Sequence, residues 1–232
     1  MNNKFYFNEF KHPGIDHSNM EYAKKYDQKM LKFRNYENEA KQLADLLQIS
    51  NNDVIIDFGC GTGALSIPLA SYSKYVYGID SSEAMLTIAK EKADKMQIKN
   101  IEFINSGFLN YIHKGQTPTV VTTIAAMHHL PDFWKVIAMK NIHKILGKGG
   151  KFLLSDVIFS FDIDDYEKTF NNWINDIANK VDKEFSEEGV IHFREEFSTF
   201  DWLIEEMLKR TGFNIKKKIV FDKLNILYYC RK

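Results

Sequence analysis

Val54-Ile55-Ile56-Asp57-Phe58-Gly59-Cys60-Gly61-Thr62-Gly63-Ala64-Leu65 decides the reading of this chain: a short apolar run closes on an acid, then breaks into three alternating glycines. A β-branched run of this length predicts a buried parallel strand, and glycine lets the turn after it bend tightly and approach a ligand. A helix is expected straight after, because Ala64, Leu65, Ile67, Leu69 and Ala70 give it an apolar face and its first N–H groups point back at the turn. A glycine turn alone is weak evidence, since many strand–helix connections use glycine for steric reasons. The next unit strengthens it. Tyr75-Val76-Tyr77-Gly78-Ile79-Asp80 is a second strand ending in an acid, about 20 residues after Gly59, the spacing at which a carboxylate accepts both hydroxyls of a ribose. Together the units point to an adenosine-containing cofactor at the carboxyl ends of the strands.

Gly59-x-Gly61-x-x-Ala64 also satisfies the dinucleotide fingerprint. Two features favour a different ligand. Asp57, two residues before the first glycine, attracts the ammonium end of an amino acid and repels a pyrophosphate. Gly63 completes G-x-G-x-G, which resembles the cofactor loop of class I S-adenosylmethionine-dependent methyltransferases. Later motifs follow that superfamily in order. Ala126-Met127-His128-His129-Leu130-Pro131-Asp132 resembles the (A/S)-x-H-H-L-x-D stretch of ubiquinone- and menaquinone-type and related small-molecule methyltransferases. Gly147-Lys148-Gly149-Gly150 before Lys151-Phe152-Leu153-Leu154-Ser155-Asp156 resembles the L-x-P-G-G-x-L-x-x-x-(D/E) element, with Lys148 where proline is usual.

The resemblance spans roughly residues 20–230. It implies a Rossmann-like, mostly parallel seven-stranded α/β sheet with helices on both faces and the last strand antiparallel. It implies methyl transfer from S-adenosylmethionine to N, O, S or C of a small-molecule acceptor, with S-adenosylhomocysteine as product. Cofactor contacts are expected from Asp57, Gly59, Cys60, Gly61, Gly63 and Asp80, from Ser81 and Met85 beside the ribose acid, and from Ala125 at the exit of the fourth strand. Where the superfamily often carries an acid for the adenine amino group, this chain has Ser106-Gly107-Phe108, leaving Gly107 backbone and the Phe108 ring to hold the base. Tyr26, in a helix expected from about Ser18, matches the tyrosine many such enzymes carry in an N-terminal cap. His128, His129 and Trp134 are the candidate substrate contacts, and His129 the candidate general base if the acceptor must lose a proton.

Composition fits this reading. At 232 residues with 44% hydrophobic and 14% aromatic content, one domain burying about 70–75% of its unfolded surface is expected. Thirty-one basic residues balance thirty-one acidic ones, which disfavours a nucleic-acid partner. Cys60 and Cys230 lack metal-ligand spacing, so no metal is expected, and with no secretory pattern at the N-terminus they predict a reduced, cytoplasmic protein. No apolar run approaches ~18 residues, so no membrane span is expected. The oligomeric state is not legible.

Within the single domain 1–232, residues 1–35 read as an arm and lid, and 158–197 as a helical insertion covering the active site. Further helices are expected over 36–47, 83–95 and after Pro131, with strands at 101–104, 119–126, 151–157, 213–220 and 224–230. Ser198-Thr199-Phe200-Asp201 reads as a capping box for a helix stopped by Gly212. Two other functions stay open. A nicotinamide-dependent oxidoreductase would need a substrate domain for which the chain lacks room, and a non-catalytic S-adenosylmethionine binder would show affinity without turnover. An adenine-N6 methylase is disfavoured because Ala126-Met127-His128-His129 replaces its (N/D)-P-P-(Y/F) element, and a cytosine-C5 methylase because Cys230 lies in the wrong place for its nucleophile.

Overall fold

The computed structural model describes residues 5–11 and 13–232; residues 1–4 and His12 of the expected arm lie outside them. Strands β1 (Val54–Phe58), β2 (Tyr75–Asp80), β3 (Ile101–Asn105), β4 (Val120–Ile124), β5 (Lys151–Phe159), β7 (Asn214–Val220) and β8 (Asn225–Arg231) form one sheet in the order β3-β2-β1-β4-β5-β8-β7. The first five pair in parallel, and β8 runs antiparallel to both β5 and β7. A two-residue strand, β6 (Thr199–Phe200), pairs with the end of β5. The sheet is therefore the seven-stranded arrangement with a reversed last strand anticipated from the motifs.

Alternation puts successive residues of β1 on opposite faces, and both faces are covered, which is why the strand is apolar throughout. Ile55 packs with Ala40, Leu43 and Leu47 of helix α2 (Tyr36–Leu47). Ile56 and Phe58 pack on the other side with Ala138, Met139 and Ile142 of helix α5 (Asp132–Ile145). Helices α1 (Met20–Met30) and α4 (Glu83–Lys95) complete the layers around the carboxyl ends of β1 and β2.

Two local expectations are corrected. The helix after the glycine turn is only α3 (Ser66–Leu69), followed by a 3-10 turn at Ala70–Tyr72. It stops early because Ser71 and Ser73 donate their hydroxyls to the carbonyls of Pro68 and Leu69, at 2.7 and 3.0 Å, competing with the backbone ladder. The capping box does not form. Helix α8 (Asp201–Arg210) starts with no side-chain cap, because the Ser198 hydroxyl meets His192 Nε2 at 2.7 Å and Thr199 donates to Asp132 at 3.2 Å.

Residues 158–197 hold the helical pair α6 (Tyr166–Lys180) and α7 (Lys183–Glu195), joined by Phe170 stacked on Phe193 at 4.1 Å. A β-carbon at Gly189 would overlap the Trp173 ring, so only glycine lets the two helices approach this closely. Helix α7 is tied to α1 by Lys29–Glu188 at 2.6 Å and by the rings of Phe33 and Phe185 at 4.8 Å.

Candidate functional site

A cleft of about 750 Å³, counting the solvent-open space at its mouth, lies where β1, β2 and β4 end. Its floor is Gly59, Gly61, Asp80, Ser81, Met85 and Ala125, its far wall Gly107 and Phe108, and its near wall His129. The N-terminal segment supplies the rest through Phe7, Glu9, Lys11, Pro13, His17 and Tyr26. None of residues 158–197 lines it.

The turn after β1 shows why the spacing of glycines mattered. Gly59 has φ +72°, and a β-carbon there would overlap that of Ala126, so the turn and the exit of β4 touch only because the side chain is missing. Gly61, at φ +53°, has nothing within 4 Å of the corresponding position: it presents bare backbone to the cavity. Its N–H donates to Asp80 Oδ2 at 2.8 Å, and Asp80 Oδ1 accepts the Ser82 N–H at 2.8 Å. One carboxylate thus fixes the loop and faces the cavity.

Asp57 behaves differently. It is 3% exposed, accepts the hydroxyls of Ser66 and of Thr122 (2.7 Å for the latter), and lies beneath the turn rather than among the residues that line the cavity. Burial pushes its carboxyl up to about 6, against the pull of those two hydroxyls. Cys60 and Gly63 also lie under the turn: burial pushes the Cys60 thiol up, and a β-carbon at Gly63 would meet the Phe103 ring at 2.8 Å.

Helix α1 is pinned over the turn by Asp27, which accepts the Thr62 hydroxyl and pairs with Lys92 of α4 at 2.5 Å. That contact seats Tyr26 against the cavity, its phenol pushed up to about 12 by burial. Asp27→Asn is expected to raise the dissociation rate of S-adenosylhomocysteine by roughly 5-fold in stopped-flow fluorescence while lowering Tm by no more than about 4 °C, since a partly exposed pair is worth about 1 kcal/mol.

On the far wall Phe108 stacks on Phe58 at 5.0 Å. Beside it stands a residue that the sequence reading missed. Glu9 is 8% exposed, accepts the Leu109 N–H at 2.8 Å and Asn110 Nδ2 at 3.2 Å, and keeps Oε2 buried with no hydrogen-bond partner. Burial pushes its carboxyl up to about 7, outweighing the N–H donors of Leu109 and its neighbours. An acid among Phe5, Tyr6, Phe7 and Phe10 was the only signal available.

At the near wall Ala125 takes φ +51°, a left-handed conformation in a non-glycine residue, with its N–H donated to the Ser155 carbonyl at 2.8 Å. Such strain persists only where surrounding structure over-determines it. His129 faces the cavity, its ring 5.5 Å from that of His17 and 4.3 Å from His128. His128 is turned inward: Nδ1 meets Asp156 at 2.5 Å and Nε2 approaches Glu196 at 3.3 Å. Burial opposes the charge on its ring, yet the Asp156 and Glu196 carboxylates outweigh it and hold its pKa above the ordinary value. Trp134 is not among the cavity-lining residues and packs on Tyr6 of the arm, 5.3 Å between rings.

Crossover topology, a glycine turn and a strand-tip acid at the sheet's carboxyl edge together define a Rossmann-like domain with a ligand crevice at the strand ends. Residues 49–214 match the family model described as methyltransferase domain, and the chain belongs to that family. An uncharacterised methyltransferase of Bacillus mycoides (strain KBAB4) is 36% identical over 135 residues, covering 56% of this chain and 61% of that protein. The chain thus spans about three fifths of the length of the curated relatives it matches. Its fold is similar to an S-adenosylmethionine-dependent methyltransferase from Aquifex aeolicus (TM-score 0.65, 16% identity, 92% of this chain and 98% of that one). It is similar also to a magnesium protoporphyrin IX methyltransferase from Synechocystis with bound S-adenosylmethionine (TM-score 0.61, 16% identity, 94% and 98%).

Proposed function

We propose that the protein transfers the methyl group of S-adenosylmethionine to a small-molecule acceptor bound in the cavity at the ends of β1, β2 and β4. The observation that carries this reading is the Asp80 carboxylate at the tip of β2, facing the cavity beside the bare backbone of Gly61. The chain's residues suit that cofactor. Asp80 accepts the ribose hydroxyls, Ser81 and Met85 flank them, and Phe108 packs on the adenine face. Oε2 of Glu9, buried without a hydrogen-bond partner, is the acceptor available to the adenine amino group, replacing from the arm the acid that the loop after β3 lacks. Asp57 acts from below by holding Ser66 and Thr122, and Cys60 and Gly63 shape the turn.

The cofactor, when bound, supplies an already activated methyl group on a sulfonium. The protein's task is to hold the nucleophile in line and exclude water, an effect that can contribute about 7–11 kcal/mol. Residues 1–35 act as the lid, through Glu9, His17 and Tyr26, and the 158–197 helices brace α1 from outside. His129 stands at the acceptor end and takes a proton where the acceptor has one to lose; His128 orients it from behind, and Trp134 shapes the arm that meets the acceptor. Cys60 and Cys230 are free and buried, which suits the cytoplasm, and among the described residues no helix is long and apolar enough to cross a membrane. Nothing in the charge balance favours a nucleic-acid partner.

Calorimetric titration with S-adenosylhomocysteine and, separately, a nicotinamide dinucleotide tests the reading: binding of the first alone is expected, and binding of the second alone would overturn it. Cofactor affinity without label transfer to any compound in a small-molecule panel would instead favour a non-catalytic binder.

Glu9 makes the lid sensitive to pH. Its carboxyl holds a proton more tightly when docked, so docking is strongest in acid and weakens as pH rises from about 4.5 to about 7, by on the order of 3 kcal/mol in all. The protection factors of residues 5–11, that is, their exchange relative to the intrinsic rate at each pH, should therefore be higher at pH 6 than at pH 8, and Glu9→Gln should remove the difference. Equal protection of the wild-type arm at both values would contradict the assignment.

A further inference from the structure

Behind the near wall of the cavity the two histidines meet a carboxylate, a set of donors larger than proton transfer from an acceptor requires. Atoms of His128, His129 and Glu196 able to bind a metal all lie within 4.8 Å of one another. The histidines sit in the 3-10 turn leaving β4, and Glu196 in the turn between α7 and β6. Two contacts fasten these turns together: the Phe197 N–H donates to the His128 carbonyl at 2.9 Å, and the buried Lys135 ammonium donates to the Phe197 carbonyl. The carboxylate is therefore held against the imidazoles by backbone.

We infer that His128, His129 and Glu196 form a binding site for a divalent transition-metal ion of the zinc type, its remaining coordination position opening onto the cavity beside His129. Three observations support this choice of ligand. The Asp156 carboxylate spans the His128 backbone N–H and Nδ1, at 3.1 and 2.5 Å, which turns Nε2 toward Glu196 at 3.3 Å, where an ion would take the place of the proton between them. A carboxylate behind an imidazole in this way is the usual support of a metal-bound histidine. His192, whose Nδ1 contacts Glu196, holds the third donor in the same manner. Second, Lys135 pairs with Asp132, while the His128 and His192 rings face the Asp156 and Glu196 carboxylates, so a cation that takes the place of an imidazole proton keeps the buried carboxylates compensated. Third, the ligand set suits the ion. Two imidazoles and a carboxylate with one open position is the composition of catalytic rather than structural zinc sites, and donors on a tetrahedron about 2.0–2.1 Å from zinc are about 3.4 Å apart. Closing from 4.8 Å takes side-chain rotation of roughly 1 Å.

The ion enters through the cavity, which His129 lines, and gives His129 the task of ligand in place of base. Its open position would then meet a sulfur, nitrogen or oxygen donor of the acceptor. That last step rests on the function proposed above; metal binding itself does not, and is measured without cofactor.

Tag-free protein, dialysed against a chelator and titrated calorimetrically with zinc chloride at pH 7.5, is expected to bind one equivalent with Kd of about 1 µM or tighter. Glu196→Gln and His129→Ala should each lower the affinity at least 10-fold, and His143→Ala, in the last turn of α5, should leave it unchanged. Cobalt(II) loading of the wild-type protein should give the visible d–d absorption of a four- or five-coordinate site, a readout that depends on no variant. Absence of stoichiometric binding would overturn the site, as would equal affinity in Glu196→Gln or an octahedral cobalt spectrum typical of surface histidines. Loss of S-adenosylhomocysteine binding with zinc binding intact would sink the proposed function and leave this inference standing.

Discussion

Asp80→Ala is expected to lower affinity for S-adenosylhomocysteine by at least 100-fold in calorimetry, with Tm reduced by no more than about 4 °C. A carboxylate accepting two hydroxyls contributes about 1.5–3 kcal/mol for each bond, and each 1.4 kcal/mol is tenfold in Kd. The same substitution frees the Gly61 N–H, so the turn loses its anchor as well. Asp80→Asn separates the two effects. It keeps an acceptor for Gly61 but donates toward one hydroxyl, and should bind between the wild-type and alanine proteins. Undiminished affinity in folded Asp80→Ala would remove the basis of the proposed function.

Asp57→Ala should do the reverse, with its larger effect on stability. Ser66 and Thr122 are fully buried, and truncation leaves both hydroxyls without their acceptor, at a cost of about 1–3 kcal/mol each, partly offset by removing a buried acid. A net loss of about 2 kcal/mol lowers Tm by roughly 4–8 °C in a chain of this size. The acid also has a distinct pH signature. The folded state holds its carboxyl near 6 against an ordinary 3.8, and so binds the proton more tightly than the unfolded chain. Stability therefore falls as pH rises from about 4 to about 6, by on the order of 3 kcal/mol, and is flat above. Asp57→Asn keeps partners for both hydroxyls without the ionisation penalty, and should equal or exceed wild-type stability at pH 8. An Asp57→Asn protein with an unchanged pH slope would contradict the account.

The contrast between these acids marks how far sequence reading reached. Both stand at a strand end near the glycines, and the sequence reading made each a direct cofactor contact, Asp57 for the ammonium end and Asp80 for the ribose. Separating them took the position of Ser66, folded back under the turn by the short α3, and of Thr122 on the neighbouring strand β4. The helix itself was expected to be longer, since its apolar pattern continues to Ala70; the serine hydroxyls that end it are local competitors which periodicity does not weigh. The capping box failed for a related reason, its Ser198 and Thr199 being drawn to His192 and Asp132 from elsewhere in the chain.

The sequence by itself determined the strands, the glycine turn and the acid at the end of β2, because these follow from the period of apolar residues and from backbone angles that glycine alone adopts without strain; the parallel sheet and its reversed last strand were implied only by the resemblance of its motifs to a family. The tertiary structure decided which groups meet. Glu9 of the N-terminal segment reaches Leu109 in the loop after β3, and Glu196 reaches His128 from the far end of the helical pair. Contacts of that kind depend on chain closure over a hundred or sixty-eight residues, which no local pattern encodes.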